Sequence, residues 1–470
     1  MLKLYNQSLN SGRVPNVWKK SFVTPIFKAG DKTNAENYRP ISILGTFAKI
    51  LDSIIANKLT LYLVSKISIN QHGFLEGKST LTNLIIYSDY ISNTLNSGHQ
   101  VDSVYLDFRK AFDSVNHSIL LFKLHNFGLR GSILSWFESY LVNREYIVRI
   151  KGNVSEPYFA NSGVPQGSHL GPLLFLLFIN DICDKLKYSN FLLYADDIKL
   201  FCKISSPLDQ SKFQVDLDTI TEWTKVNDLS LNVDKCSLLT FHRGDFFKTN
   251  YIINGSPLVR VTEQKDLGII FQENFEFNTH LNTTINKAFK ILGFIIRSST
   301  KFNCDTLIYL YKTIVRPILL YNSSIWTPSY AIHIKKLESI QHKFFRHLAF
   351  RMGTPFSIDE HDYEVFARGV KLNSIKSLHN YYDLLFIRKI LCLNSTTNCA
   401  ISNIFVTREI RFNTRNPREL LEVHTNKDYV FHSPSFRLRR MYNNLGSNVK
   451  TCDNMCDFKN ALFDAVCEFK

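Results

Sequence analysis

Two hydrophobic stretches each end on a carboxylate, and this limits what the chain can become more than any other feature. Val104-Tyr105-Leu106-Asp107-Phe108 is β-branched and aromatic around Asp107, and Phe191-Leu192-Leu193-Tyr194-Ala195-Asp196-Asp197 runs apolar into an acidic pair. Both stretches read as strands. The acids therefore sit where desolvation penalises charge unless something positive meets it. Divalent ions are the simplest answer, because two Mg²⁺ held by carboxylates of neighbouring strands can activate a hydroxyl and steady a departing pyrophosphate. Successive strand residues face opposite sides, so one of Asp196 and Asp197 shares a face with Asp107; Asp196 is assigned as the more direct ligand. The alternative is a hairpin whose turn is capped by carboxylates.

Two further groups stand in order around these acids. Ser162-Gly163-Val164-Pro165-Gln166-Gly167-Ser168 is a glycine-punctuated loop running into a helix start. Such a loop lets main chain approach a flat base or a phosphate, or is an ordinary turn. Lys28 in Pro25-Ile26-Phe27-Lys28 and Arg39 in Asn37-Tyr38-Arg39-Pro40 flank a polar turn, a layout suited to clamping a triphosphate.

Composition agrees with a polyanionic partner. Among 470 residues, 56 Lys and Arg face 41 Asp and Glu, a net charge of +15, and 45% hydrophobic with 13% aromatic content excludes a disordered basic tail. The first 300 residues hold 32 basic and 26 acidic side chains and the last 170 hold 24 and 15, so the back of the chain carries +9. Basic residues there alternate with aromatics, as in His342-Lys343-Phe344-Phe345-Arg346 and Phe436-Arg437-Leu438-Arg439-Arg440. That mixture suits phosphate contact with base stacking, or equally a solvated helix face over a core stripe. No apolar run reaches the ~20 residues a membrane helix needs. Neither a signal nor a transit peptide is evident at the N-terminus. Nine cysteines, none before Cys183, make no disulfide framework, which fits a reducing nuclear or cytosolic compartment. Cys452 and Cys456 lack the histidine that a zinc knuckle would need.

The pattern along the chain is mixed α and β, without repeats. Residues 46–64 and 79–96 carry apolar side chains at helical spacing, with a strand at 101–108 and a helix at about 117–125. A helix is expected from Gly171 to about Leu186, then two short strands over 190–204 about the turn Tyr194-Ala195-Asp196-Asp197-Ile198. Beyond 275 helices dominate, with breaks expected at Arg316-Pro317, Thr327-Pro328 and Gly353-Thr354-Pro355.

In this order the segments resemble the reverse transcriptases of non-LTR retrotransposons, close to the jockey-like elements of insects. Residues 15–47 resemble the family's fingers motifs, and QHGFLEGKSTLTNL (71–84) the next block. YLDFRKAFDSVNH (105–117), SGVPQGSHLGPLLFLLFIND (162–181) and YADD (194–197) resemble motifs A, B and C. LSLNVDKCSLLTF (229–241) and KDLGIIF (265–271) resemble motifs D and E, and IVRPILLYNSSIWTP (314–328) the opening of the thumb.

The resemblance implies an α+β right-hand polymerase: fingers over 1–100, a palm with an antiparallel sheet over 101–274, a helical thumb over 275–350, and a mainly helical basic C-terminal region over 351–470. It implies an RNA-directed DNA polymerase taking an RNA template, a DNA primer and dNTPs. Asp107, Asp196 and Asp197 would bind two Mg²⁺ ions, with Mn²⁺ as the alternative. Lys235 would donate a proton to pyrophosphate. Lys28 and Arg39 would hold the triphosphate, and Gln166 and Gly167 would line the nucleotide and templating base. Phe112 would exclude a 2′-hydroxyl, and Phe108 belongs with it in the nucleotide site. Leu267 and Gly268 would sit in the primer grip. Nuclear localisation with a cytoplasmic ribonucleoprotein stage is expected from the same likeness, and no membrane partner from the lack of a long apolar run. The chain begins just ahead of the fingers blocks, so the endonuclease domain with which relatives begin is not expected. The rival readings are an inactive nucleic-acid-binding remnant and a maturase-like RNA-binding cofactor.

Overall fold

The computed structural model describes residues 1–354, 360–393, 400–407, 419–422, 425–452 and 454–467. They divide into two compact units, the first made of 1–79, 102–238 and 247–260, the second of 80–101, 239–246 and 261–470.

In the first unit, β1 (Lys20–Phe27) and β2 (Tyr38–Leu44) form an antiparallel hairpin in which Ile26 pairs with Arg39. β4 (Glu145–Ile150) joins β1 in parallel. A second sheet is built around β3 (Gln100–Leu106), whose seven residues are all buried. Burial on both faces explains why β3 lacks the alternation of a half-exposed strand. The antiparallel hairpin of β5 (Asn190–Tyr194) and β6 (Asp197–Ile204) lies beside it, and with β7 (Ser237–Phe241) and β8 (Val259–Val261) the order is β8-β7-β3-β6-β5.

Helices cover this sheet. Asn116 accepts hydrogen bonds from the amides of Ser118 and Ile119 to start His117–Asn126, and Ser206 starts Pro207–Val226 through the Asp209 amide. The helix Leu170–Ile179 buries every residue but Pro172, as its continuous apolar run requires. It ends sooner than expected, passing into a 3₁₀ turn at Asn180–Ile182. Phe175, Phe178, Trp136, Phe137, Leu174 and Leu217 belong to one core.

The second unit is mainly helical in its described part, with helices Thr80–Asn96, Asn278–Ser298, Ala331–Met352, Ile375–Leu393, Pro434–Asn443 and Met455–Val466. Its hairpin of β9 (Glu263–Asp266) and β10 (Ile269–Gln272) turns at Leu267 and Gly268, both with positive φ. Tyr87 meets Phe241 and Phe271 edge to face at 6.0 and 5.4 Å.

Arg316-Pro317 does not break the chain. Helix Cys304–Leu310 passes through a π turn at Tyr311–Val315 into the helix Arg316–Leu320 without a gap, and the widened turn just ahead of Pro317 accommodates a residue that has no N–H to donate. The chain does leave helix after Trp326, and Gly353 closes Ala331–Met352 in the left-handed conformation; Pro355 lies outside the described residues, as does part of 351–470.

The basic-aromatic clusters resolve toward packing. Phe344 and Phe345 are fully buried while Lys343 and Arg346 are exposed, a solvated face over a core stripe. At 436–440 the arginines themselves are buried: Arg437 pairs with Asp383 and donates to the Ser324 carbonyl, and Arg439 pairs with Asp89 at 3.3 Å. Arg440 stacks over Phe431. The phosphate-contact reading of Arg437 and Arg439 is therefore corrected, because each buried guanidinium already answers a carboxylate, Asp383 buried and Asp89 partly so.

Candidate active site

Adjacency of β3 and β6 brings the two sequence-marked acids to one end of the sheet. Asp107 follows β3, and Asp196 stands in the two-residue turn between β5 and β6, closed by the Tyr194–Asp197 pair. Both are half-buried, whereas Asp197 opens β6 and is exposed. Burial first, then the negative charge of Asp107, raises the carboxyl pKa of Asp196 above its ordinary value, while Arg39 and Lys28 oppose the shift.

A pair of half-buried carboxylates that repel one another suits a divalent cation, whose charge would relieve both. Among the described residues no three His, Cys, Asp or Glu side chains gather into one ligand set. The structure brings Asp107 and Asp196 to one end of the sheet, with Asp197 next to Asp196 in the chain.

Lys235 reaches this site through main-chain pairing. Arg109 N–H donates to the Ser230 carbonyl (2.9 Å) and Asn232 N–H to the Asp107 carbonyl (2.7 Å). The 3₁₀ turn Val233–Lys235 follows, putting the exposed Lys235 Nζ 3.8 Å from Asp107 Oδ2. Phe108 does otherwise: its ring is 5% exposed and packs against Trp223, so only its backbone is left to meet a ligand.

Phe112 lies half-buried, stacked on Phe175 with ring centroids 4.5 Å apart and edge-on to Phe74. Gln166 is fixed at both ends. Its carbonyl accepts the Ser42 N–H (2.6 Å) and its Nε2 donates to Asp113 Oδ1 (2.7 Å). A Cβ on Gly167 (φ 115) would run into the Ser42 carbonyl oxygen, so glycine is required for β2 to approach this loop. Lys28 and Arg39 are exposed on the β1–β2 hairpin. Leu267 and Gly268 belong to the second unit, where the Tyr321 hydroxyl donates to the Leu267 carbonyl at 3.0 Å.

Sequence reasoning missed three supporting side chains. Asp113 holds Gln166, and burial raises its carboxyl pKa. Asp52, 2% exposed, accepts from the amides of His169 and Leu170 and from the Tyr140 hydroxyl. Gln71 meets the Ala195 peptide. Each acts across a long sequence separation; Asp52 alone is marked in the sequence, as a carboxylate within the apolar pattern of 50–55.

Residues 26–296, more than half of the chain, match the family described as "Reverse transcriptase (RNA-dependent DNA polymerase)". The chain belongs to the reverse transcriptase family. Among curated reverse transcriptase relatives it is 28% identical over 379 residues to "RNA-directed DNA polymerase from mobile element jockey" of Drosophila funebris, covering 77% of this chain and 41% of that protein. Identity to the protein of the same name from Drosophila melanogaster is 28% over 391 residues, covering 79% and 42%. The chain thus spans about two fifths of the length of these relatives. Among solved structures, apo telomerase from Candida tropicalis aligns with a TM-score of 0.43 at 12% identity, covering 75% of this chain and 62% of that one. The mixed α+β architecture is that of the reverse transcriptase family's right-hand polymerases.

Proposed function

We propose that the chain is the polymerase part of a non-LTR retrotransposon protein, extending a primer 3′-hydroxyl with dNTPs on an RNA template. The observation that carries this reading is the meeting of Asp107 and Asp196 at the ends of adjacent strands, with Lys28 and Arg39 acting electrostatically on Asp196.

Asp107 and Asp196, with Asp197 beside them, would hold divalent ions, Mg²⁺ or Mn²⁺. Such ions, when bound, supply charge to lower the pKa of the primer hydroxyl and to stabilise the phosphoryl transition state. Lys28 and Arg39 bind the triphosphate tail of the incoming dNTP, Arg39 by its fork of donors and Lys28 as a point charge. Gln166, held by Asp113, and Gly167 line the nucleotide and templating base. Phe112, braced by Phe175, closes the space a 2′-hydroxyl would need. Lys235 protonates the leaving pyrophosphate. Leu267 and Gly268 grip the primer. Residues 1–100 act as fingers, 101–274 as palm, 275–350 as thumb and 351–470 as a C-terminal region. Copying would proceed in the nucleus after a cytoplasmic ribonucleoprotein stage; no described helix is long and apolar enough to cross a membrane.

The test is extension of oligo(dT) on poly(rA) by the purified chain with dTTP and Mg²⁺. Extension that a chelator stops is expected. Template binding without extension would instead favour an inactive remnant.

A further inference from the structure

The turn that carries Asp196 is held from outside the sheet. Residues 70–73 run along the free edge of β5: Leu193 N–H donates to the Asn70 carbonyl (3.0 Å) and His72 N–H to the Leu193 carbonyl (2.9 Å). Gln71, 2% exposed, then reaches over the turn. Its Oε1 accepts the Ala195 N–H at 2.9 Å, and its Nε2 lies 3.5 Å from the Ala195 carbonyl oxygen. The same Oε1 accepts the Gly73 N–H at 2.8 Å, which orients the carboxamide.

Two details tie this contact to the turn's shape. Ala195 has φ 58, a left-handed conformation unfavourable for a residue with a Cβ and kept only where surroundings enforce it. A Cβ on Gly73 would stand 2.5 Å from Ala195 N, so the approach requires glycine. The segment is held in turn by Lys78 Nζ, which donates to the carbonyls of Ile69 (2.6 Å) and Gln71 (2.9 Å).

We propose that Gln71 is a positioning residue for the polymerase reaction: its carboxamide clamps the Ala195 peptide and thereby fixes the Asp196 carboxylate relative to Asp107. A side-chain amide does this without adding a further negative charge beside the acids, as a glutamate would. The inference rests on the polymerase reading above for its kinetic consequence, but not for the clamp itself.

The experiment compares wild type with Gln71→Met, similar in length but without the amide, and Gln71→Glu. Peptide-resolved hydrogen exchange across 190–198 reads the clamp, and primer extension on poly(rA)/oligo(dT) reads its effect. In Gln71→Met, exchange is expected to rise and kcat to fall roughly 10- to 100-fold, the penalty of a slightly misplaced group. KM for dTTP and template–primer affinity should stay within about twofold, since Gln71 touches neither ligand. Gln71→Glu, which adds negative charge beside the acids, should lower the Mg²⁺ concentration needed for half-maximal rate or shift the pH profile toward higher pH, signatures a purely structural role would not give. Unchanged exchange and unchanged kcat in Gln71→Met overturn the inference. If that variant does not fold, wild-type exchange decides, because an Ala195 amide exchanging as fast as an open turn also overturns it. If wild type is inactive, or Asp196→Asn active, the polymerase reading fails while the exchange result still judges the clamp.

Discussion

At the level of single residues, Asp196 is a group whose charged form the fold disfavours. Its pKa in the folded chain lies above the ordinary 3.8, because burial and Asp107 both disfavour the charged form. An acid shifted this way contributes stability below its unfolded pKa, and that contribution disappears as pH rises through the folded value. At neutral pH without metal, Asp196 is therefore a destabilising charge. We expect Asp196→Asn, in chelator at pH 7, to melt roughly 1–3 °C above wild type, with the gain shrinking as pH falls toward 4. Mg²⁺ should raise the melting temperature of wild type more than that of the variant. Equal melting at both pH values would show that the carboxylate is not strained. His72 behaves oppositely: burial, then Lys78 and Lys199, push its pKa down to about 3, so it stays neutral and adds no charge behind the turn.

At the scale of elements, two side chains take the free amides that open the helix Leu170–Ile179: Ser168 Oγ accepts the Gly171 N–H at 2.8 Å, and Asp52, from the helix Thr46–Leu63, takes those of His169 and Leu170. The carboxylate takes two amides and the Tyr140 hydroxyl in a buried setting. Its removal leaves three donors without a partner. Asp52→Ala should lower unfolding free energy by about 2–4 kcal/mol, read from the shift of the urea midpoint; a loss under about 0.5 kcal/mol would mean water replaces the carboxylate.

Elements of this kind divide what was legible in the sequence from what was not. Helices Thr46–Leu63 and Thr80–Asn96 and the hairpin around Asp196 stand where periodicity placed them, because each is set by local patterning. The pairing of 70–73 with β5 was invisible, since it depends on residues more than 100 positions apart in sequence. The family resemblance put Phe108 in the nucleotide site, while its ring turns to Trp223. Strand alternation sends neighbours to opposite faces, and sequence order alone does not say which face is the core.

At the scale of the whole molecule, the +15 charge counts residues that serve two purposes. Arg437 and Arg439 neutralise Asp383 and Asp89, while Lys343 and Arg346 remain exposed. Arg439→Gln should destabilise the fold by about 3 kcal/mol, because Asp89 loses its partner, yet leave the salt dependence of template–primer binding unchanged. Lys343→Ala should reduce that log–log slope by about 1 if Lys343 meets a phosphate. A slope that responds to Arg439 would return the buried pair to the binding surface.

Asp107 and Asp196 are proposed to make one metal-dependent polymerase centre. Extension of a DNA primer on an RNA template by wild type, Asp107→Asn and Asp196→Asn, with template–primer affinity measured alongside, tests it most directly. Mg²⁺-dependent extension by wild type alone, with near-equal binding by all three, is expected. Extension retained by either aspartate variant would contradict it.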